Sequence, residues 1–281
     1  MKSAIGAPKS LRFLVMGRYL LLTILSAISV FPIIWLFLSS MKTQVDLLAR
    51  PPVLFFKPTA QYYIYCLETG FFGSYFVNSL IVALFTTFFS IIIGGLGGYS
   101  LARLRFCGDK FMAFLILSFR MLPAVTLVIP MYLLARKFGL VNTKLSLIIA
   151  YVAFNLPFVT WMIRNYMDTI PVEVEEAAMT DGASRIYTLM RITLPLSLPG
   201  LFSTAIFCFL LSWNEFIFAT SLTSSPKAQT FPVAVSGFIG CRGIAWSALA
   251  ASTCIMLLPP LLFGIFAQRY IIRGFVPGAI K

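Results

Sequence analysis

Six long apolar stretches organise the chain, at 19–39, 75–100, 111–134, 145–163, 200–222 and 246–267. A hydrocarbon core of about 30 Å is crossed by a helix of roughly 20 residues, so each stretch is long enough to span it. The pattern predicts an all-α integral membrane protein with six transmembrane helices. Several of them carry backbone breakers. Pro32, Pro123, Pro130, Pro157 and the pair Pro259-Pro260 each lack an amide donor and tend to kink a helix. Gly94 and Gly98 form a G-x-x-x-G step that lets another helix approach closely. No internal repeat, low-complexity tract or soluble domain separates the stretches.

The interval before the fifth stretch has a different character. Residues 175–200 read EEAAMTDGASRIYTLMRITLPLSLPG. Pro171 suits the first turn of a helix, where its missing N–H is no loss. Glu173, Glu175 and Glu176 lie near the positive end of the helix dipole, and Ala177 and Ala178 keep one side small. Gly182 supplies a left-handed stop. The spacing predicts a helix over 171–181, about three turns and too short to be stable alone in water. A second helix follows over 184–192, and Leu194-Pro195 and Pro199-Gly200 punctuate entry into the fifth span. A helix resting on headgroups would carry lysines opposite a broad apolar face. This one is acidic, so an anionic bilayer repels it, and it reads as built to dock into a groove on another protein.

Composition agrees with the spans. The 281 residues are 59% hydrophobic and 11% charged, with mean hydropathy +0.93, against about 25% charged in soluble domains. The formal charge is +13, but the basic residues are dispersed between apolar runs rather than clustered with aromatics, which argues against nucleic acid. Beside spans they fix topology. With the N-terminus inside, thirteen Lys and Arg fall on the cytoplasmic side and eight outside, with Arg120 within a span. Both termini are expected in the cytoplasm, and 175–200 with them. Lys2, Lys9, Arg12 and Arg18 resemble the start of a signal peptide, but the apolar run is too long and no small-x-small site follows, so a retained first span is expected. There is no histidine, and the five cysteines show no C-x-x-C spacing; neither a metal site nor a redox pair is indicated.

Arg120 and Glu215 are the two charges placed well within spans, where each costs on the order of 3 kcal/mol or more. They could pair, cap broken helices or face a substrate path. Asn155, Trp213 and Asn214 offer amides for hydroxyl groups and an aromatic face for a sugar ring. Interhelix hydrogen bonding and interfacial anchoring are the competing readings.

Glu176-Ala177-Ala178, three residues, Gly182, nine residues, Ile192, one residue, Leu194-Pro195 matches the E-A-A-x₃-G-x₉-I-x-L-P signature of ABC importer permease subunits in type and spacing. Tyr99-Ser-Leu-Ala-Arg-Leu-Arg-Phe106, Arg120-Met-Leu-Pro123, Trp213-Asn-Glu-Phe216, Gln268-Arg-Tyr270 and Gly278-Ala-Ile-Lys281 resemble carbohydrate permeases of the maltose-transporter type. The resemblance covers nearly the whole chain. It implies the type I ABC importer permease fold: an N-terminal cytoplasmic segment (1–18), a six-span domain (19–267) with a coupling loop (164–199), and a C-terminal tail (268–281).

Other expectations follow from the same resemblance. Glu175, Glu176, Ala177, Ala178, Asp181 and Gly182 would meet an ATPase subunit; the candidates for the substrate path remain Arg120, Asn155, Trp213, Asn214 and Glu215, on their chemistry and position alone. The partners would be a second homologous permease, two copies of a cytoplasmic ATPase and an extracytoplasmic binding protein. Residues 223–232 would reach toward that binding protein, in a bacterial inner membrane. No G-x-x-x-x-G-K-[ST] occurs, so ATP and Mg would be held by the partner ATPase, with no cofactor in this chain. The substrate would be a sugar, oligosaccharide or polyol. An ATPase-independent carrier or channel is the alternative, disfavoured by two isolated charges and no inverted repeat. A membrane-embedded enzyme would want histidines, a metal cluster or an activated serine.

Overall fold

The computed structural model describes residues 9–68, 72–104, 106–240 and 243–275, the side chains of 9–14, 72 and 266–275 excepted. The quoted motif at 278–281 lies outside that range, as do the side chains of Gln268, Arg269 and Tyr270. In chain order the helices are α1 (Lys9–Ser40), α2 (Gln44–Leu48), α3 (Gln61–Glu68), α4 (Val77–Arg103, entered through a π turn at Phe72–Phe76), α5 (Asp109–Arg120), α6 (Ala124–Lys137) and α7 (Lys144–Met167). Then come α8 (Val172–Thr180), α9 (Arg185–Thr188), a π turn (Leu189–Thr193), α10 (Leu194–Trp213), α11 (Ile217–Leu222), α12 (Phe231–Ser236), a hairpin of β1 (Ile239–Gly240) and β2 (Gly243–Ile244), and α13 (Trp246–Phe275).

Among the described residues, five helices are long and apolar enough to cross a membrane: Val15–Ser40, Gly73–Arg103, Lys144–Met167, Arg185–Trp213 and Trp246–Ile265. The third apolar stretch differs from the single helix expected. It is the pair α5 and α6, bent by 93°. Pro123 causes the break: it holds the N-cap of α6 in an extended conformation and disfavours a helical residue before it. The packing shows that this pair is a broken crossing and not a re-entrant loop. Arg103, the last residue of α4, donates to the carbonyl of Ile170 just beyond α7. At the opposite end, Lys144 at the start of α7 donates to Asn78 at the start of α4. Helices α4 and α7 therefore run in the same direction, and the chain between them must recross, giving six crossings.

The fifth stretch also departs from expectation at both ends. It begins at Arg185, ahead of Pro195 and Pro199, and ends at Trp213. The wider π turn at 189–193 absorbs the donor that Pro195 lacks: the Leu194 amide bonds back to the Leu189 carbonyl. Pro199 is carried inside α10, where Ser203 donates to its carbonyl.

The described residues form two units. The larger comprises Leu67–Gly237 and the part of α13 from Met256. Its centre is the packing of α4 on α7, made close by the glycine step: a Cβ at Gly94 or Gly98 would overlap Val159 and Thr160 of α7. Helix α10 closes a three-helix core, with Gly200 against the face of the Tyr166 ring. Val159, Ile163, Met167, Ile170 and Cys208 fill one end of this core. Tyr151, Leu147, Phe218 and Leu222 fill the other.

The smaller unit runs to Cys66 and resumes over Phe238–Ile255. In it Lys42, 4% exposed, donates to the Val53 carbonyl at 2.7 Å and sits over the rings of Trp35 and Phe56. Gln44 ties the hairpin and the start of α13 through Ile244 and Ser247. Along α1 the apolar residues from Val15 to Leu38 are largely exposed.

Candidate functional site

The interval between α7 and α10 folds as a short helix between two caps. Pro171 stands at the N-cap of α8, one position before the helix, and Asp181 at its C-cap. Gly182 follows with φ +91°, a left-handed conformation that a side chain rarely adopts. Its amide bonds to the Met179 carbonyl and that of Ala183 to Ala178, which satisfies the last carbonyls of the helix. Ser184 then caps α9 by accepting from the Tyr187 amide.

One predicted docking residue is placed elsewhere. Glu175 points away from solvent and is 3% exposed. Its carboxylate accepts from Arg103 Nε at 2.8 Å and from the Tyr99 hydroxyl at 3.1 Å. Arg103 Nη2 also donates to the Ile170 carbonyl at 2.8 Å. The Arg103 and Glu175 side chains are 6% and 5% exposed. The correction has a simple cause: helical rotation turns Glu175 toward the end of α4 while its neighbour Glu176 faces out. Glu173, Glu176, Ala177 and Asp181 are exposed and Ala178 is half-buried.

What α8 and α9 leave exposed is mostly acidic and apolar, with Arg185 as an exposed base. Val172 and Val174 flank the glutamates, and Ile186, Tyr187 and Met190 are 76%, 56% and 56% exposed. An open groove of about 640 Å³ lies beneath the glycine turn, lined by Ala178, Asp181, Gly182, Ala183, Ser184, Tyr187 and Ile192. A surface of this kind, with polar and apolar residues side by side, suits another protein.

The predicted substrate-path residues do not converge. Trp213 is 1% exposed; its indole N–H donates to the Met256 carbonyl, and its ring stacks on Phe209. Asn155, 3% exposed, donates to Ser212 across the α7–α10 contact at 3.0 Å. Both are placed as core residues. Asn214 is exposed at the C-cap of α10. Glu215 sits in the break after α10, not within a helix. Its carboxylate accepts from the amides of Phe218 and Ala219 and so caps α11. Arg120 lies at the bend of the broken crossing with its guanidinium over Phe154 and Phe158, and no ion pair joins it to Glu215.

The outer loop is pinned down over most of its length. Asn142 accepts from the amides of Ser224 and Ser225, and Asn78 donates to the carbonyls of Pro226 and Gln229. Phe231 through Val235 are buried. Residues 223–232 thus hold to the bundle over much of their length, with Ser224, Pro226 and Lys227 left exposed.

Sequence reasoning missed Arg103 and Tyr99 as partners of the loop. The signal was their four-residue spacing at the end of a span, which puts both on one face.

Comparison with known proteins converges with this geometry. Residues 90–276 match the family described as binding-protein-dependent transport system inner membrane component. The trehalose/maltose transport system permease protein MalG of Thermococcus litoralis is 36% identical over 261 residues, which are 92% of this chain and 94% of that one. The diacetylchitobiose uptake system permease protein DasC of Streptomyces coelicolor is 32% identical over 253 residues, 90% of this chain and 92% of its own. The fold matches a chain of a bacterial ABC transporter that imports the acidic polysaccharide alginate. Its TM-score is 0.76 at 22% identity, covering 94% of this chain and 98% of that one. With its six crossings, its capped E-A-A loop and relatives alike over nearly their whole length, this chain belongs to the family of inner membrane components of binding-protein-dependent transport systems.

Proposed function

We propose that the chain translocates a sugar or oligosaccharide across the bacterial cytoplasmic membrane, driven by ATP that partner subunits hydrolyse. The observation that carries this reading is the loop between α7 and α10. Helix α8 is fixed to the bundle on one side, presents Glu176, Ala177 and the Gly182 turn on the other, and stands over an open groove. A bilayer would repel its acidic face, whereas a cleft in a cytoplasmic ATPase would seat it. Sugars are the substrates in the names of the MalG and DasC relatives, which supports the substrate class. The excess of Lys and Arg on the side of this loop supports a cytoplasmic placement for it and for both termini.

Two ATPase copies, a second permease and an extracytoplasmic binding protein complete the assembly in this reading. A large apolar surface on α1 awaits cover by lipid or by that second permease. Among the substrate-path candidates, Asn214 keeps an exposed side chain, with Arg120 and Glu215 half-buried. Because Asn155 and Trp213 are engaged in the core, the sugar contacts fall chiefly to these three and to the partner permease.

The test replaces Gly182 with Val and Glu176 with Lys in the assembled transporter. The first forces a β-branched residue into the left-handed region, at about 1–2 kcal/mol. The second reverses the exposed charge. Both variants should insert normally and lose sugar uptake together with stimulation of the ATPase by loaded binding protein. Normal uptake and stimulation in both would refute the docking role.

A further inference from the structure

We propose that Arg103, with Tyr99 and Glu175, is the joint through which movement of α8 is passed into the membrane bundle, so that Glu175 acts in transmission and not in docking. The inference rests on the docking reading of α8 and adds where the force goes next.

Three hydrogen bonds meet at this joint, and the two charged side chains in it are largely shielded from water. Arg103 Nε reaches Glu175 Oε1 on α8 at 2.8 Å, and Tyr99 reaches Oε2 at 3.1 Å. Arg103 Nη2 reaches the Ile170 carbonyl at 2.8 Å, at the turn where α7 leads into α8. One guanidinium therefore fixes both the turn that precedes α8 and the first turn of α8 to the last turn of α4. A planar fork with fixed donors sets direction as well as distance.

What lies behind the joint matters equally. Tyr99 and Ala102 pack against Val159, Ile163, Met167 and Ile170. One turn further along, Gly98 brings α4 against the α7 backbone at Thr160 and Arg164. A displacement of α8 thus reaches α4 through bonds to charged groups and α7 through close backbone contact. Neither path has slack. Glu176, by contrast, is exposed, which leaves it for the partner surface. Two adjacent glutamates, one in the motif and one just before it, therefore hold different offices.

The experiment uses the complete transporter in proteoliposomes, and reads sugar moved per ATP hydrolysed together with the amount of ATPase that co-purifies. Glu175→Gln keeps the shape and removes the charge. It should retain the ATPase at wild-type stoichiometry while sugar moved per ATP falls at least about tenfold, the factor that one hydrogen bond to a charged group corresponds to. The joint can also be rebuilt covalently. In a chain whose five native cysteines are replaced, Arg103→Cys with Glu175→Cys should be uncoupled as made, and should recover coupling when a short bifunctional thiol reagent bridges the pair. Recovery by a tether is a result that a role in folding alone would not give, and it also covers the case in which Glu175→Gln inserts poorly.

An unchanged ratio in Glu175→Gln would overturn the proposal, as would a bridged pair that stays uncoupled. Loss of the ATPase from the Glu175→Gln complex would overturn it too, by placing Glu175 in the docking face. If the unmodified chain itself binds no ATPase, the docking reading of α8 fails instead, and the two failures are told apart.

Discussion

Replacing Gly98 by Ala adds one methyl group where α4 comes closest to the α7 backbone. The added Cβ would stand 2.9 Å from the Thr160 carbonyl oxygen, 3.0 Å from the Arg164 amide nitrogen and 3.0 Å from Ile163 Cγ2. Two of these three are backbone atoms, which cannot turn away. Restoring an ordinary separation of about 3.5 Å requires the helices to part by roughly 0.5 Å, and that loosens every contact along the seam. Gly97, one residue earlier, is the internal control: its Cβ would meet only the Thr160 side chain, at 3.4 Å from Cγ2 and 3.6 Å from Oγ1. Both substitutions gain the same helix propensity, about 0.5–1 kcal/mol over glycine, so their difference isolates the steric cost. Overpacking of this kind costs about 1–3 kcal/mol, or roughly 5- to 150-fold in the unfolding constant. Equilibrium unfolding of the purified chain in mixed detergent micelles, titrated with dodecyl sulfate, reads that ratio. Coincident curves for Gly98→Ala and Gly97→Ala would refute the seam as described.

Three further outcomes follow from particular contacts. Asn142→Gly retains the positive φ of 62° but removes the side chain that holds Ser224 and Ser225; limited proteolysis of 223–230 should quicken several-fold while membrane insertion is unchanged. Glu215→Gln weakens the cap on α11 by about 1 kcal/mol, lowering resistance to dodecyl sulfate, and should raise the half-saturating sugar concentration; an unchanged concentration would show that Glu215 only caps. Deleting Met190 from the π turn restores an α-helical count and rotates α9 by about 100° against α10, so uptake should be lost with insertion intact; normal uptake would show the π turn to be dispensable.

The spans and the short loop helix were legible because both rest on local signals. An apolar run of spanning length has few alternatives, and Pro171, the glutamates and Gly182 mark the ends of α8 in the order that helix capping requires. Breaks within the spans were harder. Pro123 bends its crossing by 93°, yet Pro157 and Pro199 lie inside continuous helices. Ahead of Pro195 the chain takes an added residue per turn, which the local sequence does not record. Burial of Glu175 beside exposed Glu176 was beyond reach for the same reason. Helical rotation separates adjacent residues by about 100°, but which of them turns inward depended on an arginine more than seventy positions earlier. Trp213 and Asn155 looked like sugar contacts because those residue types serve a ligand or a helix interface equally well, and only packing decides between them.

A charged pair is an uneconomical way to join two helices if stability alone is wanted. Apolar residues of similar volume often hold as well or better, since both ions must be stripped of water. What an apolar contact does not fix is register: two greasy surfaces slide by fractions of a turn at little cost. Arg103 cannot slide, because it serves Glu175 and the Ile170 carbonyl at once, and a small rotation that keeps one bond breaks the other. Losing either leaves a charge unsatisfied in a dry site, at about 3–5 kcal/mol for a fully buried pair. The α10 side of the loop is joined differently, through a continuous helix with a π turn and no ion pair. The loop therefore has one joint that fixes angle and one that carries it on, which is the arrangement needed if α8 is to turn the bundle as a lever and not merely sit beside it.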